Sequence, residues 1–195
     1  MAKLFTIFLA SILTHNIALT YILGMCPLIS LSKSLKTAFG MGMSVVFVVT
    51  LTAMVNWPIY TLILVPTNSQ FLSLLIFIIT IAAAVQLLEM FLEKFSPALH
   101  SAFGIFLPLI TVNCIVLAVS LFMVLRDYTF FQTVAFSFGS SVGWMLAIVL
   151  ISSIREKLAL IGNVPKGLKG PGIVVVILGI LALGFMGFAG MVNIT

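Results

Sequence analysis

Charge is what this sequence has least of. Nine Lys and Arg and four Asp and Glu make up only 7% of its 195 residues, where soluble domains devote about a quarter to charged side chains. Together with 63% hydrophobic residues, that scarcity excludes an ordinary soluble domain. A nucleotide fingerprint is missing as well. Gly40-Met41-Gly42 lies inside an apolar run and lacks the third glycine and the strand context that such a motif needs. No nucleotide or flavin site is therefore expected within this chain. Cysteine is almost absent, with Cys26 and Cys114 the only two.

What the chain has instead is long apolar runs. Ala38–Trp57, Phe71–Leu88, Phe130–Ile154 and Gly172–Thr195 contain no Asp, Glu, Lys or Arg. Each can cross a hydrocarbon core of about 30 Å, which takes about 20 helical residues. Lipid offers the backbone no hydrogen-bond partner, so such runs must be helical. Leu4–Leu31 and Pro97–Leu125 bring the count to six. Lys3 followed by Leu4–Leu13 resembles a secretory signal, but no small-residue cleavage site follows, and the segment is retained as a span. The expectation is an all-α integral membrane protein with one membrane domain, 1–195. The longest loop, roughly Arg155–Pro171, leaves no soluble domain.

Basic residues orient the spans. With alternating spans, Lys33, Lys36, Lys94, Arg155, Lys157, Lys166 and Lys169 fall on one side and only Lys3 and Arg126 on the other. That bias places both termini outside the cytoplasm. It also explains the net charge of +5 without a nucleic-acid partner.

The halves 1–95 and 96–195 look like copies. Ala38-Phe39-Gly40-Met41-Gly42-Met43-Ser44-Val45 aligns with Ala135-Phe136-Ser137-Phe138-Gly139-Ser140-Ser141-Val142 at a constant offset. A half of three spans ends on the opposite side from its start, so the second copy must be inverted. This 3+3 inverted repeat is an architecture that builds sites near the midplane. The first span of each half is also too long: Leu4–Leu31 and Pro97–Leu125 would make straight helices of roughly 42–44 Å. Interruptions are expected, at Gly24 and Pro27 in one and at Gly104, Pro108 and Asn113 in the other. Paired interruptions in equivalent places point to a site. The two cysteines sit in these two segments. A lone cysteine is ordinarily a small buried hydrophobe; as a pair at membrane depth, a disulfide and a soft-metal site are both open readings.

Asn16, Leu23-Gly24-Met25-Cys26-Pro27, Ala38-Phe39-Gly40-Met41-Gly42, Gln86-Leu87-Leu88-Glu89-Met90, Ser96-Pro97-Ala98-Leu99 and Gly104-Ile105-Phe106-Leu107-Pro108-Leu109-Ile110-Thr111-Val112-Asn113-Cys114 carry a resemblance. They are similar to the paired membrane subunits of the sodium-pumping NADH:quinone reductase (Nqr) and of the related Rnf electron-transport complex. Phe122-Met123 before Arg126-Asp127-Tyr128, Gly143-Trp144-Met145-Leu146-Ala147-Ile148 and Val164-Pro165-Lys166-Gly167-Leu168-Lys169-Gly170 resemble the E-type branch of the quinone reductase. The alternative is the A-type subunit of Rnf, which shares the cysteine blocks. His15 departs from the pattern, which has an acidic residue before Asn16.

The resemblance implies a multi-pass subunit of a bacterial inner membrane complex with both termini periplasmic. It implies a homologous D-type membrane partner, further subunits A, B, C and F, and sodium as the transported ion. It further implies that Cys26 and Cys114 give two thiolates to a [2Fe–2S] cluster shared with the partner, or to a single iron held by four cysteines. A cluster generally takes four thiolates, and this chain owns two. Gly24, Met25, Pro27 and Asn113 would then surround it. The implied function is electron relay at mid-depth in a sodium-translocating NADH:ubiquinone reductase, with no complete active site in this chain.

Glu89 shares a helix face with Gln86 and Glu93, one or two turns inside Lys94. Snorkelling towards Lys94 is one reading and sodium entry through a hard carboxylate oxygen is the other; the resemblance favours the second. Gly139-Ser140-Ser141-Val142-Gly143 and the spaced Gly184, Gly187 and Gly190 read as close helix packing. Trp57, Tyr60, Tyr128 and Trp144 read as interfacial anchors, and His15 and His100 as satisfied polar residues. A standalone inverted-repeat transporter and a purely structural assembly subunit are the rival classes; both leave the cysteines idle.

Overall fold

A computed structural model of the chain describes residues 2–14, 16–66, 70–95, 110–161 and 170–187. Among the described residues the regular structure is entirely helical. The helices are α1 (Ala2–Ile12), α2 (Ile17–Thr20), α3 (Met25–Leu31), α4 (Leu35–Ile59), α5 (Ser73–Phe95), α6 (Cys114–Leu125), α7 (Phe130–Ile161) and α8 (Pro171–Met186). Among the described residues, two stretches are long and apolar enough to cross a membrane, Leu35–Leu64 and Phe130–Leu160. Pro58 stands inside α4, and the helix widens just after it into a π-turn over Tyr60–Leu64. A proline lacks the donor of a regular helical turn, and wider turns absorb such a defect.

α4 and α7 form the most extensive helix pair among the described residues. They run antiparallel. At one end the Trp57 indole donates to the Tyr128 carbonyl oxygen at 2.9 Å and its ring meets Phe130 edge-on. Midway, Gly42 faces the Met145 side chain. At the other end Arg155 reaches Ser32, just before α4 begins. The face that α4 buries is mostly small: Ala38, Gly42, Val45, Val49, Thr52, Ala53 and Asn56. Met41 is buried with them, whereas Phe39, Met43 and Phe47 stand outward, each more than half exposed. Lipid is as apolar as Leu, so helices in it associate through close contact of small residues rather than through burial of large ones.

The expected glycine packing occurs at Gly139 and Gly143. A Cβ at Gly139 would strike the Ser11 hydroxyl and stand 2.9 Å from the Phe8 carbonyl; one at Gly143 would stand 3.2 Å from the Ile12 carbonyl. α1 therefore lies directly on α7. Gly184 differs: among the described residues nothing lies within 4 Å of a Cβ placed there. Its missing side chain admits no neighbour among them, unlike that of Gly139.

Trp144 also departs from expectation. It is fully buried at the centre of the core, not at an interface, because its N–H has a backbone acceptor deep in the fold. Trp57 and Tyr128 do stand together near one end of the α4–α7 pair. There the Arg126 guanidinium donates to the Tyr128 hydroxyl at 3.1 Å and lies over the rings of Phe122 and Phe136. Arg126 thus marks one end, and Arg155 with the Lys33 neighbourhood marks the other. His15, His100, Gly104, Pro108, Lys166, Lys169 and Gly190 lie outside the described residues, as does the side chain of Glu93.

Candidate functional site

The amino-terminal segment is interrupted, but not where proline suggested. It breaks at Asn16 and again over Tyr21–Gly24, giving α1, α2 and α3. Pro27 sits in the first turn of α3. The missing N–H of a proline there would have had no intrahelical acceptor in any case, so it starts the helix rather than ending one.

Asn16 makes the first break. Its side-chain oxygen accepts from the Ala18 amide at 3.1 Å and caps α2. Its Nδ2 donates to the Ile12 carbonyl at 3.2 Å and to the Gly143 carbonyl at 2.9 Å. These bonds satisfy backbone and amide groups that would otherwise be bare in the core. The second break turns through Ile22 at φ 55 and Gly24 at φ 80. Glycine adopts the left-handed region freely, whereas a β-branched residue there stores about 1–3 kcal/mol of strain. Gly24 is also irreplaceable on contact grounds. A Cβ would stand 2.6 Å from the Trp144 Nε1 and 3.1 Å from the Asn113 Oδ1.

That second distance joins the two interrupted segments. Asn113 is 2% exposed. Its Oδ1 accepts from the Ile115 amide at 3.3 Å, capping α6 as Asn16 caps α2. The offset that carries Ala38 onto Ala135 also carries Asn16 onto Asn113, and Ala18 onto Ile115. Both halves therefore use the same residue, in the same cap, at the same place. The cysteines do not share this correspondence: the register sets Ile17 opposite Cys114 and Met123 opposite Cys26. α6 ends on Asp127 at φ 47, where the Tyr128 amide donates to Met123 and the Asp127 amide to Val124, a helix-closing turn of the Schellman type.

Cys26 lies in the first turn of α3 and Cys114 is the first residue of α6. Both thiols are free and exposed on this chain. The segments that carry them meet through Gly24 and Asn113. Beside Cys114, the Nδ2 of Asn113 is buried and has no partner among the described residues. A buried amide donor without an acceptor costs about 1–3 kcal/mol, so a ligand with acceptor atoms fits here. Among the described residues no three His, Cys, Asp or Glu side chains converge as metal ligands. A cysteine beside an unpaired N–H, with a second on the segment that meets it, has donor chemistry that suits one half of a sulfur-rich, soft-metal centre. Met25 and Pro27 flank Cys26, half-buried and buried respectively.

Glu89 is half-buried in the last third of α5, and Gln86, one turn earlier, is exposed. α5 carries Glu89 on a different element from either cysteine. Sequence reasoning missed Asn16 as a structural cap, although Asn before an apolar helical run is a cap signal. It also missed the roles of Trp144 and Arg155. Arg155 Nη1 donates to the Ile29 carbonyl at 3.2 Å and to the Ser32 hydroxyl at 2.6 Å. Its role was hidden by the topological bias that already explained its charge.

Known proteins share this chain's sequence over nearly its full length. A family model described as "Rnf-Nqr subunit, membrane protein" matches residues 4–192. The E subunit of the Na(+)-translocating NADH-quinone reductase of Maridesulfovibrio salexigens is 46% identical, over 98% of this chain and 99% of that protein. The protein of the same name from Dichelobacter nodosus is 47% identical, over 95% of this chain and 97% of its own length.

Proposed function

The chain belongs to the Rnf-Nqr family of membrane subunits, and from that premise we propose that it serves as the E-type membrane subunit of a Na(+)-translocating NADH-quinone reductase. Both relatives carry that name and span nearly the whole chain, which favours this complex over Rnf. The chain is then part of an oxidoreductase without holding a complete active site. Its partners are a homologous D-type subunit and the remaining subunits A, B, C and F. It spans the bacterial inner membrane six times with both termini periplasmic, as a 3+3 inverted repeat. The matched Asn16 and Asn113 caps support the repeat.

Within the complex, Cys26 and Cys114 supply half of the ligands of a [2Fe–2S] cluster, and the D-type subunit supplies the rest. The observation that carries this reading is the meeting of the two cysteine-bearing segments at Gly24 and Asn113, with both thiols exposed and the Asn113 amide left without an acceptor among the described residues. Such a cluster, when bound, takes up and gives back one electron. The chain's own residues do the rest. Asn113 would have a free N–H to give to a sulfur acceptor, an interaction of the kind that tunes potential. Gly24 permits the close approach of the two breaks. A centre held there would supply an electron stop within a crossing of about 30 Å. Glu89 gathers sodium on the cytoplasmic side.

Replacing Cys26 or Cys114 with Ser substitutes a harder, more basic ligand. Either variant complex is expected to lose iron and to stop quinone reduction, while NADH still reduces the upstream flavin. The isolated chain should hold little iron, restored by co-expression with the D-type subunit. Stoichiometric iron in the isolated chain, or full quinone reduction by Cys114→Ser, sinks the shared-cluster reading.

A further inference from the structure

We infer that α7 is a splint for the cysteine-bearing segment, with Trp144 and Arg155 the positioning residues that set where the Cys26 thiol stands relative to Cys114. The inference rests on the shared-cluster reading and goes beyond it, since both residues act on the backbone around Cys26 rather than on a thiol.

Helix α3 has only seven residues, about two turns, and a helix that short does not hold its own direction. It is also reached through a strained link, with Ile22 and Gly24 both left-handed. Backbone of that kind persists only where its surroundings over-determine it. The long-range side-chain hydrogen bonds at its two ends come from one element. At the start of α3 the buried Trp144 Nε1 donates to the Gly24 carbonyl at 3.4 Å. At its end Arg155 Nη1 donates to the Ile29 carbonyl and to the Ser32 hydroxyl. Ile29 is among the last four residues of the helix, whose carbonyls lack intrahelical donors. A charge-assisted bond to such a carbonyl is stronger than a neutral one.

The spacing suits the task. Trp144 and Arg155 are about three turns apart, on one face of α7, and about 16 Å along its axis. Gly24 to Ser32 is a rise of about 12 Å. One continuous helix can therefore take α3 by both ends. Trp144 also borders the second break. The position of a Gly24 Cβ lies in contact range of both Trp144 Nε1 and Asn113 Oδ1, so the indole, Gly24 and the cap that precedes Cys114 share one small volume. Displacing the indole or releasing the far end of α3 moves Cys26 relative to Cys114. The distance between two ligands of a shared centre then loses its definition.

The test uses the purified complex carrying Trp144→Phe, Arg155→Met or Arg155→Lys. Trp144→Phe keeps an aromatic ring and removes the donor. Arg155→Lys keeps the charge and removes the fork. Iron per complex, the electron paramagnetic resonance line of the reduced centre, its midpoint potential and iron loss to a chelator are recorded. Both donor-removing variants are expected to show a broadened line, a shifted potential and iron held about tenfold or more weakly, the usual effect of losing a supporting contact. Arg155→Lys should fall between them and the unsubstituted complex. Should Arg155→Met fail to assemble, Trp144→Phe decides. Assembled variants with unchanged line, potential and chelator sensitivity overturn the splint but leave the cluster standing. An unsubstituted complex with no iron at Cys26 and Cys114 overturns the cluster reading, and the splint with it.

Discussion

Asn16 donates its amide to the Gly143 carbonyl at 2.9 Å across 127 positions of sequence, while its oxygen caps the one-turn helix α2. One side chain thus closes a local break and ties it to α7, the longest of the described helices. The two bonds can be separated. Asn16→Ser keeps a capping oxygen but gives up the tie; Asn16→Ala gives up both. Each net hydrogen bond is worth about 1 kcal/mol, and a lost cap about 0.5–2 kcal/mol. Thermal inactivation midpoints of the purified complex should therefore fall in the order Asn, Ser, Ala. Equal midpoints for Ser and Ala would mean that the cap contributes nothing.

Gly24→Ala tests the second break. Left-handed backbone costs an L-residue about 1–2 kcal/mol, and the new methyl must displace Trp144 or Asn113. Gly172→Ala is the control, because nothing among the described residues lies within 4 Å of its Cβ position and its φ is not positive. Gly24→Ala should lower the yield of iron-containing complex, and Gly172→Ala should not. Similar yields for the two would show that the Gly24 site tolerates a side chain.

For Glu89, the informative change is Glu89→Gln, which keeps size and hydrogen bonding but removes the charge. A carboxylate that gathers sodium should leave behind a higher sodium requirement for half-maximal quinone reduction, with the iron centre intact. An unchanged sodium dependence assigns the carboxylate to solvent at the helix end.

Topology is checked by reporter fusions. Those after Lys36 and Lys166 should be cytoplasmic, and one at Thr195 should be periplasmic. Arg155 bonded to Ser32, beside Lys33, already gathers the basic residues of α4 and α7 at one end. A cytoplasmic carboxyl terminus would overturn both the six spans and the inverted repeat.

The membrane class was legible because lipid constrains composition so strongly: long uncharged runs admit almost no other reading. Glycine packing at Gly139 and Gly143 was legible too, since small residues at helical spacing have one common use in lipid. The amino-terminal cysteine segment was legible as interrupted, and Gly24 does lie in a break, but Pro27 was misjudged. Proline is the more conspicuous residue, yet Pro27 falls at the start of a helix and Asn16 makes the break by capping. What no local pattern carries is which acceptor a buried donor finds. Trp144 reads from sequence as an interfacial ring. Only the left-handed turn at Gly24, which aims a carbonyl inward, gives that indole its partner in the core.

The bond between Arg155 and Ser32 spans 123 residues, and that separation has a consequence for the making of the protein. Translation at about 5–20 residues per second delivers Arg155 about 6–25 s after Ser32. For that interval the Ile29 and Gly24 carbonyls must find temporary company in the translocation machinery, in headgroup water or in a waiting partner chain. A transcript broken before the codon for Trp144 yields a nascent protein in which α3 lacks the donors that hold it. The second half of the chain acts, in time, as the chaperone of the first.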